Sequence, residues 1–411
     1  IFALTSTLVA QVPPPEVEWA RTFGWAGQFD AGRSVQQTKD GDYIVAGYTS
    51  SGAGGSDVYL VKTDANGNAA PGWPKMLGGA GGDQASSIQQ TSDDGYIVAG
   101  VTDSFGAGAS DVYLIKTDAD GNLEWEKTFG GAGWDEGHSV QQTFDASGNP
   151  TGYIVAGGTT SFGAGRRDVY LVKTDADGNQ EWQMTFGKAT DDVGRSVQQT
   201  MDGGYIVAGG TTSFGGHHID SVYLIKTDAD GNASPDWPKT LGEAELGEGR
   251  SVQQTMDGGY IVAGGTITDY DVYLIKTDTN GNVTPSWPKT FGGVGYDAGS
   301  SVQQTMDGGY IVAGESISSF GADRVYLVKT DVDGNLECQT TFGGASALGL
   351  SVQQTTDTGY IVAGLTGLFD AGKYDVYLAK LAPAIPPEPP LPPANLRVGY
   401  LALGNLAFVE W

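Results

Sequence analysis

SIQQTSDDGYIVAGVTDSFGAGASDVYLIKTDADGNLEW, residues 87–125, holds four short segments separated by aspartate- and glycine-rich breaks. They are Ser-Ile-Gln-Gln-Thr from Ser87, Tyr-Ile-Val-Ala-Gly from Tyr96, Val-Tyr-Leu from Val112, and a fourth around Trp125. The first, with Val or Ile second, begins at Ser34, Ser87, Ser139, Ser196, Ser251, Ser301 and Ser351. The second begins at Tyr43, Tyr96, Tyr153, Tyr205, Tyr260, Tyr310 and Tyr360. The third carries Tyr59, Tyr113, Tyr170, Tyr223, Tyr273, Tyr326 and Tyr377. The fourth carries Trp19, Trp73, Trp125, Trp182, Trp237 and Trp287, with Cys338 in the seventh slot.

Short runs of β-branched and aromatic residues bounded by Gly and Asp read as strands, and no window sustains a helical period. Four strands in each of seven repeats predict an all-β fold, a seven-bladed β-propeller of four-stranded blades. Call the strands A to D in the order just given. The chain opens with a D segment, Val17 to Phe23, and its last repeat stops after the C segment around Tyr377. The N-terminal strand is therefore expected to complete the last blade, closing the ring and hiding the edges that a linear stack would expose. The domains are then 1–15, an apolar arm with a proline hinge; 16–381, the propeller; 382–393, a proline-rich linker; and 394–411, a strand arm.

Composition narrows the function. Among 411 residues, Lys+Arg number 22 and Asp+Glu 49, a net charge of −27. Nucleic acid would be repelled over most of such a surface. One cysteine excludes a disulfide framework and a thiolate cluster, and no apolar run reaches the ~20 residues of a spanning helix. No nucleophile elbow, phosphate loop or catalytic triad pattern is present. The expectation is a non-enzymatic chain without a cofactor.

Thr128 to Val140, with Gly152 to Phe162, resembles the seven-bladed propeller repeats of secreted bacterial and archaeal proteins. Val112 to Trp125 is similar to the tryptophan-docking motif of quinoprotein-type propellers. The resemblance covers residues 16–381; it implies the fold and an extracellular setting, and leaves function open because propellers host enzymes, lectins and scaffolds.

A residue present in every blade belongs to the fold, since a site requires the symmetry to break. The D-strand Trp is expected between adjacent blades, Cys338 is expected buried as a small hydrophobe, and one Gln of each Gln-Gln pair is expected to bond to a neighbouring blade. Asp118-Ala119-Asp120-Gly121-Asn122 and its repeats read as tight hairpin turns, with a calcium loop as the alternative. Asymmetry lies in the D–A and B–C loops. Asp30, Asp83, Asp135, Asp192 and Asp297 sit four residues before the A-strand Ser, replaced by Gly247 and Ala347 in the other two repeats, with Glu248 beside the first. They read either as caps of loop amides or as a cation-collecting carboxylate mouth. Trp25, Trp134, Tyr296 and the phenylalanines Phe105, Phe162, Phe214 and Phe320 share that face, where they either pack on neighbouring loops or stack on sugar rings. Arg33, Arg195 and Arg250 are expected to pair with the acidic ring. His217, His218 and Asp220 are a weak metal candidate, and His138 has no partner in sequence.

Residues 1–12 are apolar and read as the remainder of a secretory signal; Pro13 to Pro15 follow. Pro383 to Pro393 form a semi-rigid spacer. Residues 392–398 and 407–411 resemble the first two strands of a fibronectin type III domain, and a lone hairpin is marginal in water. The arms, through Ile1, Phe2, Leu4, Leu8, Val9, Leu396, Val398, Tyr400, Leu401, Leu403, Leu406, Phe408 and Trp411, are expected to pair with a second copy. That predicts an extracellular structural protein assembling head to tail into a filament by strand exchange. The alternative is a surface binding module, lectin-like or adhesive, for a glycan or a cell-surface protein; a propeller enzyme ranks third.

Overall fold

The computed structural model describes residues 12–52, 54–213, 221–242, 246–318, 323–344, 346–367 and 373–384, with the backbone of Arg397–Tyr400 and Ala407–Glu410. Seven antiparallel four-stranded sheets are formed, six of them by A, B, C and D strands of one repeat. In the second blade these are Asp83–Gln90, Tyr96–Thr102, Asp111–Thr117 and Leu123–Phe129. The seventh sheet joins the two chain ends. Val17–Phe23 pairs with Asp375–Leu381, placing Trp19 opposite Lys380 and Thr22 opposite Tyr377. No helix in the described residues is long and apolar enough to cross a membrane.

The two-residue period of a strand explains why B and C strands are apolar on both faces. Tyr96 and Val98 pack towards the preceding blade, with Ile44 and Leu60. Ile97 and Ala99 pack towards the following blade, with Tyr153 and Val155. The core is thus a set of seam clusters rather than one central mass.

The D-strand tryptophans seal each seam at its outer edge. Trp125 lies 5.9 Å from Tyr153 of the next blade, and Trp19, Trp182 and Trp287 repeat the contact with Tyr43, Tyr205 and Tyr310. The next blade's C–D turn closes over the indole. A Cβ on Gly178 would stand 2.7 Å from the Trp125 ring, and one on Gly67 would stand 2.7 Å from Trp19. In three blades the tryptophan precedes the strand instead of lying in it. A proline follows Trp73, Trp237 and Trp287, its missing N–H cannot extend the ladder, and those D strands shorten to Lys75–Leu77, Lys239–Leu241 and Lys289–Phe291.

At the axis the A strands are bridged by side chains, and more heavily than the sequence suggested. The first Gln of each pair accepts from the next blade, as when Gln199 N donates to Gln141 Oε1 at 2.5 Å. The second also bonds, in the reverse direction: Phe144 N donates to Gln199 Oε1 at 2.9 Å. The A-strand serine makes a third bridge, with Val197 N donating to Ser139 Oγ at 3.1 Å. All seven seams repeat the three bonds, so Ser-Val-Gln-Gln is a lacing motif around a central channel of about 250 Å³.

Residues 1–11, 385–396, 401–406 and 411, and the side chains of 397–400 and 407–410, lie outside the description. The interface expectations at Ile1, Phe2, Leu4, Leu8, Val9, Leu396, Leu401, Leu403, Leu406 and Trp411 therefore do too. Val398, Tyr400 and Phe408 belong to the two backbone strands, which pair with each other, Val398 opposite Val409 and Gly399 opposite Phe408.

Candidate binding site

The acidic residues singled out in the D–A loops do not line an open mouth. Asp30, Asp83, Asp135, Asp192 and Asp297 are 0–4 % exposed. Their carboxylates cap loop amides: Asp135 Oδ2 accepts from Gly131 N at 2.7 Å and from Ser161 Oγ at 2.6 Å, and Asp192 Oδ2 accepts from Lys188 N and Ser213 Oγ. In the fifth blade the register puts Leu246, not Gly247, at this position, opposite Thr266. The aromatics mostly pack locally, Trp25 on Tyr59 at 5.1 Å, Phe105 on Tyr113 and Phe162 on Tyr170 at 5.7 Å. Trp134 stays 60 % exposed. Phe214, Phe320, His217, His218 and Asp220 lie outside the described residues. The Asp-x-Asp-Gly-Asn turns use their first carboxylate internally, since Asp118 Oδ1 accepts from Asp120 N and Asn122 N while Oδ2 accepts from Asn122 Nδ2.

Symmetry breaks one step nearer the axis. Every A strand carries a bulge at the residue before its serine: the pairing register slips between Gly137 and Ser139, between Gly194 and Ser196, and at the same place in the other five. A bulge leaves one residue out of the ladder and re-aims its side chain. The seven bulged residues are Arg33, Ser86, His138, Arg195, Arg250, Ser300 and Leu350. An otherwise monotonous repeat therefore brings its most varied side chains together at one mouth of the channel.

On one side of this mouth the charges interlock across blades. Arg167 Nη2 donates to Glu136 Oε2 at 2.8 Å, Arg195 Nε donates to Glu248 Oε2 at 3.0 Å, and Arg250 lies 3.6 Å from Glu248 and 3.9 Å from Glu315. The arginines thus pair with glutamates of the mouth rather than with the aspartate ring. Tyr296 belongs to this chain of contacts, bonded to Arg250 and packed at a tilt 5.4 Å from Tyr270. His138, 18 % exposed in its side chain, has its Nε2 at 3.2 Å from Glu136 and 3.3 Å from both Arg167 and Arg195. Burial, together with the two guanidinium charges, depresses its pKa against the pull of Glu136. The His138 hydrogen bond, with Arg167 and Arg195, holds the Glu136 carboxyl down to about 2 despite its burial.

Arg33 differs. It is exposed, lies 5.5 Å over the Tyr48 ring, and forms no ion pair with a carboxylate among the described residues. With Arg195, His138, Gln84, Ser86, Val101 and Leu350 it lines a cavity of about 420 Å³. The wall therefore offers one guanidinium without a carboxylate partner, amide and hydroxyl partners, an apolar flank, and the Glu136 carboxylate, itself paired with Arg167. Sequence reading found Arg33, Arg195, Arg250 and Glu248 but missed Glu136, Arg167 and Glu315. Only their departure from the repeat at equivalent positions signals them, Glu315 for example standing where other blades have Gly158, Gly210 or Gly265.

The family model described as a domain of unknown function, DUF5122 β-propeller, matches residues 38–69, from the end of the first A strand to the first C–D turn. No curated protein matches the sequence. A protein of unknown function from Dyadobacter fermentans is 12 % identical with a TM-score of 0.56, the match covering 90 % of this chain and all of that one; this shows the shared fold. Sqt1 from Chaetomium thermophilum is 11 % identical over 85 % of this chain and 83 % of its own, with a TM-score of 0.48. A protein from Lactobacillus plantarum is 13 % identical over 87 % and 96 %, with a TM-score of 0.47.

Proposed function

We propose that this chain is a non-enzymatic, extracellular binding propeller that takes an acidic saccharide at the asymmetric mouth of its channel. The observation that supports it most is Arg33, a guanidinium without an acidic partner among the described residues, on the wall of a sugar-sized cavity shared with Arg195 and His138. The net charge of −27 opposes anions elsewhere on the surface, so an anion is held locally at this spot, where guanidinium matches a carboxylate in a two-pronged geometry. Gln84 and Ser86 suit ring hydroxyls; Leu350 and Val101 suit an apolar ring face. The test is the intact chain on an array of acidic and neutral glycans. Arg33→Gln is expected to weaken binding at least about tenfold, the size of one charge-assisted hydrogen bond, while Trp134→Ala leaves it unchanged. Equal binding of neutral glycans, or an unaffected Arg33→Gln variant, overturns the reading.

The hairpin of Arg397–Tyr400 and Ala407–Glu410 favours a second reading, a structural protein that polymerises head to tail. Two strands alone are marginal, and an edge on another copy would extend them. Removing residues 384–411 is expected to abolish any filament seen by electron microscopy. Filaments that persist after the removal, or an intact protein that stays monomeric, rule this reading out.

A further inference from the structure

Five of the seven seams between blades bring two carboxylates from different strands together. One precedes the C-strand Val-Tyr-Leu; the other opens the next blade's A strand. The pairs are Asp57 with Asp83, Asp111 with Asp135, Asp168 with Asp192, Asp271 with Asp297, and Asp375 with Asp30. They converge on the glycine that ends each D strand: a Cβ on Gly78 would lie 2.6 Å from both Asp57 Oδ1 and Asp83 Oδ2, and Gly130, Gly187, Gly292 and Gly24 face their pairs in the same way.

Two observations separate these pairs from ordinary loop caps. The first is that the two members come and go together. In the two seams without an A-strand Asp, the C-strand Asp is missing as well, the pairs there being Ser221 with Leu246 and Arg324 with Ala347. Capping a loop within one blade gives no reason for the neighbouring blade to change in step; sharing a ligand does. The second is that in two pairs the C-strand carboxylate lacks a hydrogen-bond partner where it faces the seam. Asp57 is 8 % exposed, is aimed at Asp83, and accepts no hydrogen bond among the described residues. Asp271 Oδ1, the oxygen that faces Gly292 beside Asp297, is likewise buried without a hydrogen-bond partner. Buried like charges side by side need either a proton or a cation to neutralise them. Consistent with that strain, burial first and the facing Asp83 second push the Asp57 pKa up, and Asp111 and Asp168 behave alike towards Asp135 and Asp192.

We propose that these five seams are calcium sites, each shared by two blades and each stapling one blade to the next. The chemistry of the donors selects the ion. They are hard oxygens only, with no His or Cys in any pair, which suits calcium better than zinc. Calcium accepts six to eight oxygens at roughly 2.3–2.6 Å from flexible loops, so two carboxylates are completed by loop carbonyls and hydroxyls such as Ser104 Oγ, already 2.6 Å from Asp83.

The experiment uses the full chain, stripped with a chelator and then titrated with calcium alone, read by metal analysis and by thermal midpoint. About five ions per chain and a rising midpoint are expected. Asp57→Asn and, separately, Asp111→Asn are each expected to lose one ion, while Asp118→Asn in a C–D turn loses none. A chain that retains no calcium, a midpoint indifferent to chelation, or an unchanged count in both seam variants overturns the proposal. A shared proton would show itself differently: carboxyls with raised pKa stabilise the fold at low pH and lose that contribution as pH rises through their range, with no response to calcium. Metal analysis of the wild-type chain decides the matter even if a variant fails to fold.

Discussion

Cys338 is the one exception in the tryptophan ring, and the ring's closure explains it. Six C–D turns fold over six tryptophans of preceding blades, their glycines against the indoles at Gly67, Gly121, Gly178, Gly231, Gly281 and Gly334. The seventh blade has no C–D turn, because its C and D strands come from opposite ends of the chain. The position facing that missing turn is Cys338, 3 % exposed, its thiol pushed up to about 11 chiefly by burial and so held as an inert small hydrophobe. Two glycines separate the packing of an indole from backbone strain. Gly178 (φ +76°) sits on Trp125, whereas a methyl placed on Gly203 (φ +84°) would meet nothing within 4 Å. Gly203→Ala is expected to cost about 1–2 kcal/mol, the left-handed backbone penalty alone. Gly178→Ala is expected to cost a further ~1–3 kcal/mol for overpacking. Urea denaturation of the two variants checks this, and equal losses would mean that the turn does not press on the ring.

At the scale of the strand, the A segments lack ladder partners on their axial side and use side chains in place of a sheet. Gln141→Ala removes the acceptor of Gln199 N–H, 58 residues away. About 1–2 kcal/mol of stability should go with it, together with faster hydrogen exchange at the Gln199 amide. Unchanged exchange there would show that the channel's own solvent replaces the bond at no cost. C strands are fastened by a different device: Lys329 Nζ lies 3.0 Å from Asp307 of the A–B turn and 2.8 Å from Glu337 of the D strand. The Ser-Val-Gln-Gln motif announced an inter-blade role, and the structure shows that both glutamines and the serine perform it. The Lys-Asp-Glu fastening was not singled out, because a Lys in a strand and an Asp in a turn are each ordinary until antiparallel pairing brings them together.

For the whole molecule, closure through Val17–Phe23 makes the propeller self-contained. Removal of 384–411 takes away no strand of the seven sheets and should therefore leave the thermal midpoint of the monomer within a degree or two, even where the same deletion abolishes filaments. A large fall in midpoint would mean that the arm packs on its own propeller. Sequence alone determined the number of blades, the four strands in each and the strand that closes the ring, because these follow from a period of two within strands and a period of about fifty along the chain. It did not determine the mouth. His138 meets Arg195 across 57 residues, and Arg195 meets Glu248 across 53, one repeat apart in each case. Which side chains face which was decided by seven bulges and by blade packing. Likewise the choice between an amide cap and a rim carboxylate for Asp30, Asp83, Asp135, Asp192 and Asp297 was decided for the buried cap, because exposure depends on the neighbouring blade, and no stretch of local sequence encodes where that neighbour lies.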